Sequence, residues 1–255
     1  MYFDFLKFFL SSQNSHGIHS PFVFDFYLKV FKSKGKDAVF EKIENRRKVQ
    51  LKNKEEIVVQ DFGAGSKHTK NNKRTVGNIT NHSSKKSKWA QLLFRIIQAY
   101  NYKSIIELGT SVGFTTSYLA ASDSTSIINT FEGCKSTLNL ARENVKSLDF
   151  KNVNFIEGNI DETLPKILLT IDSLDFVFFD ANHQFEPTIK YFDLCLAKIN
   201  KKSCFVFDDI YWSNDMKLAW NTITSRKEAR LSIDLFFVGI VFFDDSLSKQ
   251  NFKLR

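Results

Sequence analysis

Proline is nearly absent from this chain of 255 residues, with three in all, and glycine is scarce at ten. These numbers exclude a collagen-like or Pro/Gly-rich disordered chain and leave too few turn residues for an all-β fold of many short strands. The three cysteines, Cys134, Cys195 and Cys204, show no C-x-x-C or metal-type spacing. An odd, scattered set excludes a disulfide framework and reads as reduced thiols of a cytoplasmic protein. No apolar run approaches the roughly 20 residues of a membrane span. The greasy opening M-Y-F-D-F-L-K-F-F-L is broken by Asp4 and Lys7, and it lacks the basic start and cleavage site of a signal peptide. A soluble protein is expected.

What is abundant is phenylalanine, 27 residues, in a chain that is 43% hydrophobic and 25% charged, enough for a packed core. The net charge of +8 is lopsided: residues 1–88 hold 18 Lys+Arg against 8 Asp+Glu, and residues 89–255 hold 18 against 20. This divides the chain into a basic, mostly helical N-terminal region, 1–88, and an α/β domain, 89–255. A positive arm suits nucleic acid, an anionic surface or an acidic substrate, and it is equally explained as a solvated face. His16 and His19 have no acid or cysteine near them in sequence and read as structural.

Residues 103–132 carry the most information. K-S-I-I-E-L runs into a turn bracketed by Gly109 and Gly113, residues 114–121 are helix-competent, and S-I-I-N-T-F-E is a second β-branched run ending in an acid. Strand, glycine turn, helix and strand make half of a doubly wound α/β sheet. Glycine lets the backbone approach a ligand, and amides at the helix start favour an anionic group. Glu132 stands where such folds set an acid against ribose hydroxyls. The stretch reads as a nucleoside-cofactor site. An earlier run, I-V-V-Q-D-F-G-A-G-S at 57–66, imitates such a turn, but no helical apolar face follows it. Residues 66–88 are therefore expected to be a mobile loop, a lid that orders on ligand binding.

Downstream, strands at 153–157, 174–179 and 203–207 alternate with helices, and S-I-D-L-F-F-V-G-I-V-F-F supplies a final pair of strands with Gly239 at a bend or close approach. The strand ends carry Glu107, Glu132, Asn159, Asp180 and Asp208-Asp209. An acid-lined crest suits a cofactor with hydroxyls and a positive centre better than one with a pyrophosphate. The turn G-T-S-V-G also has serine where nicotinamide folds use the middle glycine of G-x-G-x-x-G, which makes a nicotinamide oxidoreductase the outsider.

E-L-G-T-S-V-G-F-T-T resembles the first motif of class I S-adenosylmethionine-dependent methyltransferases, particularly the catechol and caffeoyl-CoA O-methyltransferase group. F-F-D-A-N-H-Q-F-E-P-T-I-K-Y-F-D-L-C-L and F-V-F-D-D-I-Y-W-S match later motifs in the same order, across about residues 89–243. The resemblance implies a Rossmann-like fold with a mainly parallel seven-stranded sheet and one antiparallel strand, here preceded by the helical extension. It implies that Glu107, Gly109, Thr110, Ser111, Gly113 and Thr115 surround the methionine part of S-adenosylmethionine. Glu132 would hold the ribose, Asn159 and Ile160 would border adenine, and Asp180 would lie beside the cofactor. Asp180, Asp208 and Asp209 would match ligands of a divalent cation such as Mg²⁺, with Asp209 replacing the family's asparagine. His183 stands where plant-type members place a lysine and would act as a base near neutral pH, alongside Asp180. Tyr211 and Trp212 would wall the acceptor pocket.

The expected activity is O-methylation of a small hydroxylated acceptor with metal assistance. The alternatives are an RNA methyltransferase that uses the basic N-terminal region as a clamp, and a non-catalytic nucleoside-binding module. Two structural readings stand beside these: Asp208-Asp209 as a helix cap and His183 as a surface loop residue. A homodimer is compatible with all of them.

Overall fold

The structure is a computed structural model that describes residues 1–33, 35, 37–60 and 72–255. It contains two compact units, Met1–Lys32 with Ile167–Arg255, and Ser33–Lys166. The N-terminal stretch forms α1 (Tyr2–Ser11) and α2 (Pro21–Phe26), the latter continued by a π-type turn at Tyr27–Phe31. Pro21 opens α2 at the position where a missing N–H costs nothing, and Ser20 caps the helix through the Val23 amide.

In Ser33–Lys166, α3 (Ala38–Leu51) leads to a two-stranded antiparallel ribbon, β1 (Glu56–Val58) with β2 (Lys73–Thr75). The helices α4 (Val76–Ser83) and α5 (Ser87–Tyr100) follow. The apolar face of α5 buries Ala90, Leu93, Phe94 and Ile97, and the helix ends where Asn101 takes the left-handed conformation at φ 55°. Next come β3 (Ser104–Leu108), α6 (Phe114–Ser122), β4 (Ile127–Glu132), α7 (Lys135–Ser147), β5 (Val153–Glu157) and α8 (Ile160–Leu168), all but the last two residues of which belong to this unit. β3 is parallel to β4 and β4 to β5. β3 is buried from Ile105 onward, as a parallel strand covered on both faces must be.

Within the loop expected over 66–88, residues 76–83, V-G-N-I-T-N-H-S, fold instead as α4. Its apolar contribution is small, Val76 and Ile79, but both enter a core shared with Phe40, Ile43, Phe94 and Tyr118. Thr75 caps the helix by accepting the Asn78 amide at 3.2 Å. Gly77 is required by contact: a Cβ there would stand 2.6 Å from the Leu51 carbonyl at the end of α3. Residues 61–71, which include D-F-G-A-G and the first part of the expected loop, lie outside the described residues.

The remaining unit adds β6 (Leu174–Phe179), α9 (Phe185–Leu196), β7 (Ile199–Asp208), α10 (Asn214–Ser225), β8 (Leu231–Asp234), β9 (Val238–Phe242) and β10 (Gln250–Lys253). The main sheet has the order β10-β8-β9-β7-β6-β3-β4-β5. Strand β9 is antiparallel to β7 and β8, while β6 is parallel to β7 and β10 to β8. The mainly parallel sheet with one antiparallel strand is therefore present, with eight strands rather than seven. The additional one is β10, whose polar Q-N-F-K carries little strand signal.

Phenylalanines fill this unit. Phe179 stacks on Phe207 at 4.3 Å, Phe5 and Phe8 of α1 meet Phe236, and Phe22 and Phe26 meet Phe242. Each fully buried phenylalanine contributes about 1.5–3 kcal/mol by transfer from water. Gly239 marks the anticipated close approach, since a Cβ there would lie 2.6 Å from the Trp220 ring. No helix among the described residues is long and apolar enough to cross a membrane.

Candidate functional site

After Leu108 the chain turns through Gly109 (φ 103°), Ser111 (φ 49°) and Gly113 (φ 80°) before entering α6. The Gly109 and Thr110 amides both bond the Phe131 carbonyl, at 3.1 and 3.0 Å, which ties the turn to β4. Beneath it Glu107 is fully buried and accepts hydrogen bonds from Thr116 Oγ1 at 2.5 Å and Thr130 Oγ1 at 2.6 Å. Because Thr130 spends its single proton on Glu107, Thr110 Oγ1 donates to Thr130 Oγ1 across 2.6 Å. Glu107 thus forms the floor of the turn. Thr110 and Thr115 are buried as well. Ser111 Oγ is buried with no hydrogen-bond partner among the described residues, a state that costs about 1–3 kcal/mol.

Glu132 stands at the end of β4, beside this turn. Its Oε2 accepts the Ser111 amide at 2.9 Å and its Oε1 the Cys134 amide at 2.9 Å. A carboxylate accepts at roughly four lone-pair positions, so this anchoring is compatible with taking ribose hydroxyls too. The Gly158 amide (φ 124°) bonds the Glu132 carbonyl at 3.0 Å. Asn159 follows and caps α8, with its Oδ1 accepting the Asp161 amide at 3.0 Å, and Ile160 is buried. The fold therefore gathers 109–113, Glu132 and 158–160 at the carboxyl ends of β3, β4 and β5, where open α/β sheets bind ligands. Three positive-φ glycines keep Cβ atoms away from the backbone here, the Ser111 hydroxyl awaits a partner, and Glu132 is fixed in place. That set fits a nucleoside.

The other predicted residues lie in the unit containing Ile167–Arg255. The register Phe179↔Phe207 sets Asp180 and Asp208 at neighbouring strand ends. His183 Nε2 lies 3.6 Å from Asp180 Oδ1. Asn182 (φ 64°) and His183 (φ 30°) are both in the left-handed region, a strained pairing braced by Asn182 Nδ2 donating to Tyr191 at 2.9 Å. Asp208 is buried and its Oδ1 accepts the Asp209 amide at 2.8 Å, while Asp209 itself takes φ 52°.

No group of three or more His, Cys, Asp or Glu side chains among the described residues is placed to hold a metal ion. Asp180, Asp208 and Asp209 are therefore not part of such a group among the described residues. Tyr211 stacks on Phe236 at 4.7 Å and donates to Asp234 Oδ2 at 2.7 Å. Burial pushes both the Tyr211 hydroxyl and the Asp234 carboxyl above their ordinary values. Trp212 is largely exposed.

Sequence reasoning missed Thr116 and Thr130, the hydroxyls that hold Glu107, and Asn144 on α7. A signal for Asn144 existed. Leu138, Ala141, Asn144 and Val145 fall on one helical stripe, so an amide occupies an apolar face.

Residues 106–210 match the family model described as a methyltransferase domain. A stretch of 97 residues is 34% identical to an uncharacterized protein of Acanthamoeba polyphaga mimivirus, covering 36% of this chain and 44% of that one. The chain therefore spans less than half the length of this curated relative. Among solved structures it is similar to an O-methyltransferase from Bacillus cereus in complex with SAH, S-adenosylhomocysteine (TM-score 0.59, 17% identity, 83% of this chain and 93% of that one). It is similar also to an SAH-bound methyltransferase of Podospora anserina (TM-score 0.61, 14% identity, 84% and 91%). A third is the O-methyltransferase TomG of Streptomyces achromogenes in complex with SAM (TM-score 0.55, 16% identity, 87% and 95%). Residues 106–210 thus match a methyltransferase domain model, and the chain shares the Rossmann-like fold of these solved structures.

Proposed function

We propose that this protein is an S-adenosylmethionine-dependent methyltransferase that acts on a hydroxyl group of a small molecule. The observation that carries the reading is the Glu132 carboxylate, held by the Ser111 and Cys134 amides beside the Gly109–Gly113 turn. Gly109, Ser111 and Gly113 would border the methionine part, Glu132 the ribose, and Asn159 and Ile160 the base. When bound, S-adenosylmethionine supplies an electrophilic methyl group on a sulfonium.

The chain's own contribution is placement of the acceptor oxygen in line with that methyl, together with removal of its proton. His183 Nε2 takes the proton, and Asp180, 3.6 Å away, stabilises the imidazolium that results. A small acceptor is favoured over a nucleic acid because basic side chains counted toward a clamp are engaged inside the fold. Arg46 Nε donates to Asn144 Oδ1 at 2.8 Å, and Arg47 donates to the Lys85 carbonyl at 2.7 Å with its guanidinium over the Phe114 ring.

Calorimetric titration with SAH tests the reading. Saturable binding is expected, and a dissociation constant weaker than about 1 mM, some 4 kcal/mol of affinity, overturns it.

A further inference from the structure

Asn144 is fully buried, and its side-chain amide joins three elements. Nδ2 donates to the Val112 carbonyl at 2.9 Å, while Oδ1 accepts Arg46 Nε at 2.8 Å and Gln50 Nε2 at 2.7 Å. With a carbonyl on one side and two donors on the other, the orientation of the amide is fixed by its partners. Val112 lies within the Gly109–Gly113 turn. Arg46 and Gln50 stand four residues apart on one face of α3. One turn earlier on α7, Ala141 lies against Gly113, where a Cβ would come within 3.0 Å of its own. Helix α7 therefore grips the end of the turn twice, by contact at Gly113 and by a hydrogen bond at Val112.

The turn needs such a grip. Ser111 sits at φ 49°, a conformation that a residue with a side chain holds only when its surroundings determine it. The Gly113 amide on the Thr110 carbonyl closes one side of the turn, and Asn144 on the Val112 carbonyl closes the other. Between them the Ser111 amide is left directed at Glu132. Neighbouring side chains of α3 brace the same region: Glu44 accepts the Tyr118 hydroxyl at 2.9 Å, and Arg47 covers Phe114, the first residue of α6.

We infer that Asn144 is a positioning residue for the cofactor turn, held in place by Arg46 and Gln50 of α3; this rests on the reading of that turn as the S-adenosylmethionine site. The helix preceding the sheet domain is on this account part of the cofactor architecture.

The test is Asn144→Asp, which retains an acceptor for Arg46 and Gln50 but loses the donor to Val112. A merely structural role predicts rescue by this isosteric change, because the new carboxylate faces Arg46. Positioning predicts a melting temperature near that of the wild type together with SAH binding weakened about ten-fold or more, the loss of one buried hydrogen bond. In the ligand-free protein the amide resonances of Gly109 and Gly113 shift. Arg46→Ala, which removes one donor to Asn144 Oδ1, weakens SAH binding about three-fold, and its effect does not add to that of Asn144→Asp. Should Asn144→Asp fail to fold, Arg46→Ala carries the same two measurements.

Wild-type SAH affinity with unmoved glycine resonances overturns the inference and leaves the cofactor reading standing. Absence of SAH binding by the wild-type protein overturns the cofactor reading instead. The glycine resonances of the ligand-free variants then decide by themselves whether the turn depends on Asn144.

Discussion

Ser111 and Glu132 are joined by a hydrogen bond of 2.9 Å from the backbone amide of one to the carboxylate of the other. The acid is 21 residues further along the chain, yet it shapes the turn that precedes it as much as it faces any ligand. Replacing Glu132 with alanine therefore removes two charge-assisted bonds, each worth about 1.5–3 kcal/mol. Glu132→Ala is expected to lower stability in urea titrations by a few kcal/mol at most and to weaken SAH binding by ten-fold or more. Undiminished affinity in a folded variant would remove Glu132 from the cofactor site.

Gly113 combines a left-handed backbone with a crowded neighbour, Ala141. Gly113→Ala should cost at least about 1–2 kcal/mol from the backbone alone. Gly35→Ala is the control, since a Cβ there meets nothing within 4 Å. Equal urea midpoints for the two variants would show that the turn adapts to a side chain.

His183 is assigned a proton-transfer role, so His183→Ala should reduce kcat on an identified acceptor by about 10²–10⁴. The dissociation constant for SAH should not change. A fall in SAH affinity of the same size would mean that the residue shapes the cofactor site and does not move a proton.

Because no group of three or more His, Cys, Asp or Glu side chains among the described residues is placed to hold a metal ion, turnover is expected to survive exhaustive dialysis against EDTA. Activity lost on chelation and restored by Mg²⁺ would show that the carboxylates of Asp180, Asp208 and Asp209 regroup when an acceptor binds.

Asp234 gives a pH signature. Burial raises its pKa, so the folded state holds the proton more tightly than the unfolded chain, whose carboxyl titrates near 3.9. The associated stability is complete below that unfolded value and is lost as pH rises through the raised folded one. Asp234→Asn, which cannot ionise, should gain on the wild type across that interval and then hold a constant lead. Urea titrations from about pH 4 to pH 8 measure this. A difference that does not vary with pH would refute it.

The unit from β3 to β4 was legible because each local signal agreed with the next: a buried β-branched strand, glycines at two of the positive-φ positions, and an acid at the following strand end. Helix α4 was not legible, since Val76 and Ile79 give it only two apolar contacts. Gly77, which reads as a helix breaker, is there because the Leu51 carbonyl presses against it. Asp208 and Asp209 occur in the right order, but nothing in their spacing reveals that the Asp209 amide turns back onto the Asp208 carboxylate. Asn144 was visible only as an anomaly on an apolar stripe, and its partners on α3 are more than 90 residues away.

Strand β10 lies along β8 with the register Gln250↔Leu231 to Lys253↔Asp234. It is four residues long and mostly exposed. Its end is bridged by Gln13, whose amide bonds the Lys253 carbonyl at 2.7 Å, and for the rest of such a margin, a template for pairing with another chain, brevity, polarity and a lysine are the usual deterrents. The tail strand thus replaces a buried, sticky border, L-S-I-D, with one that discourages fibrous stacking.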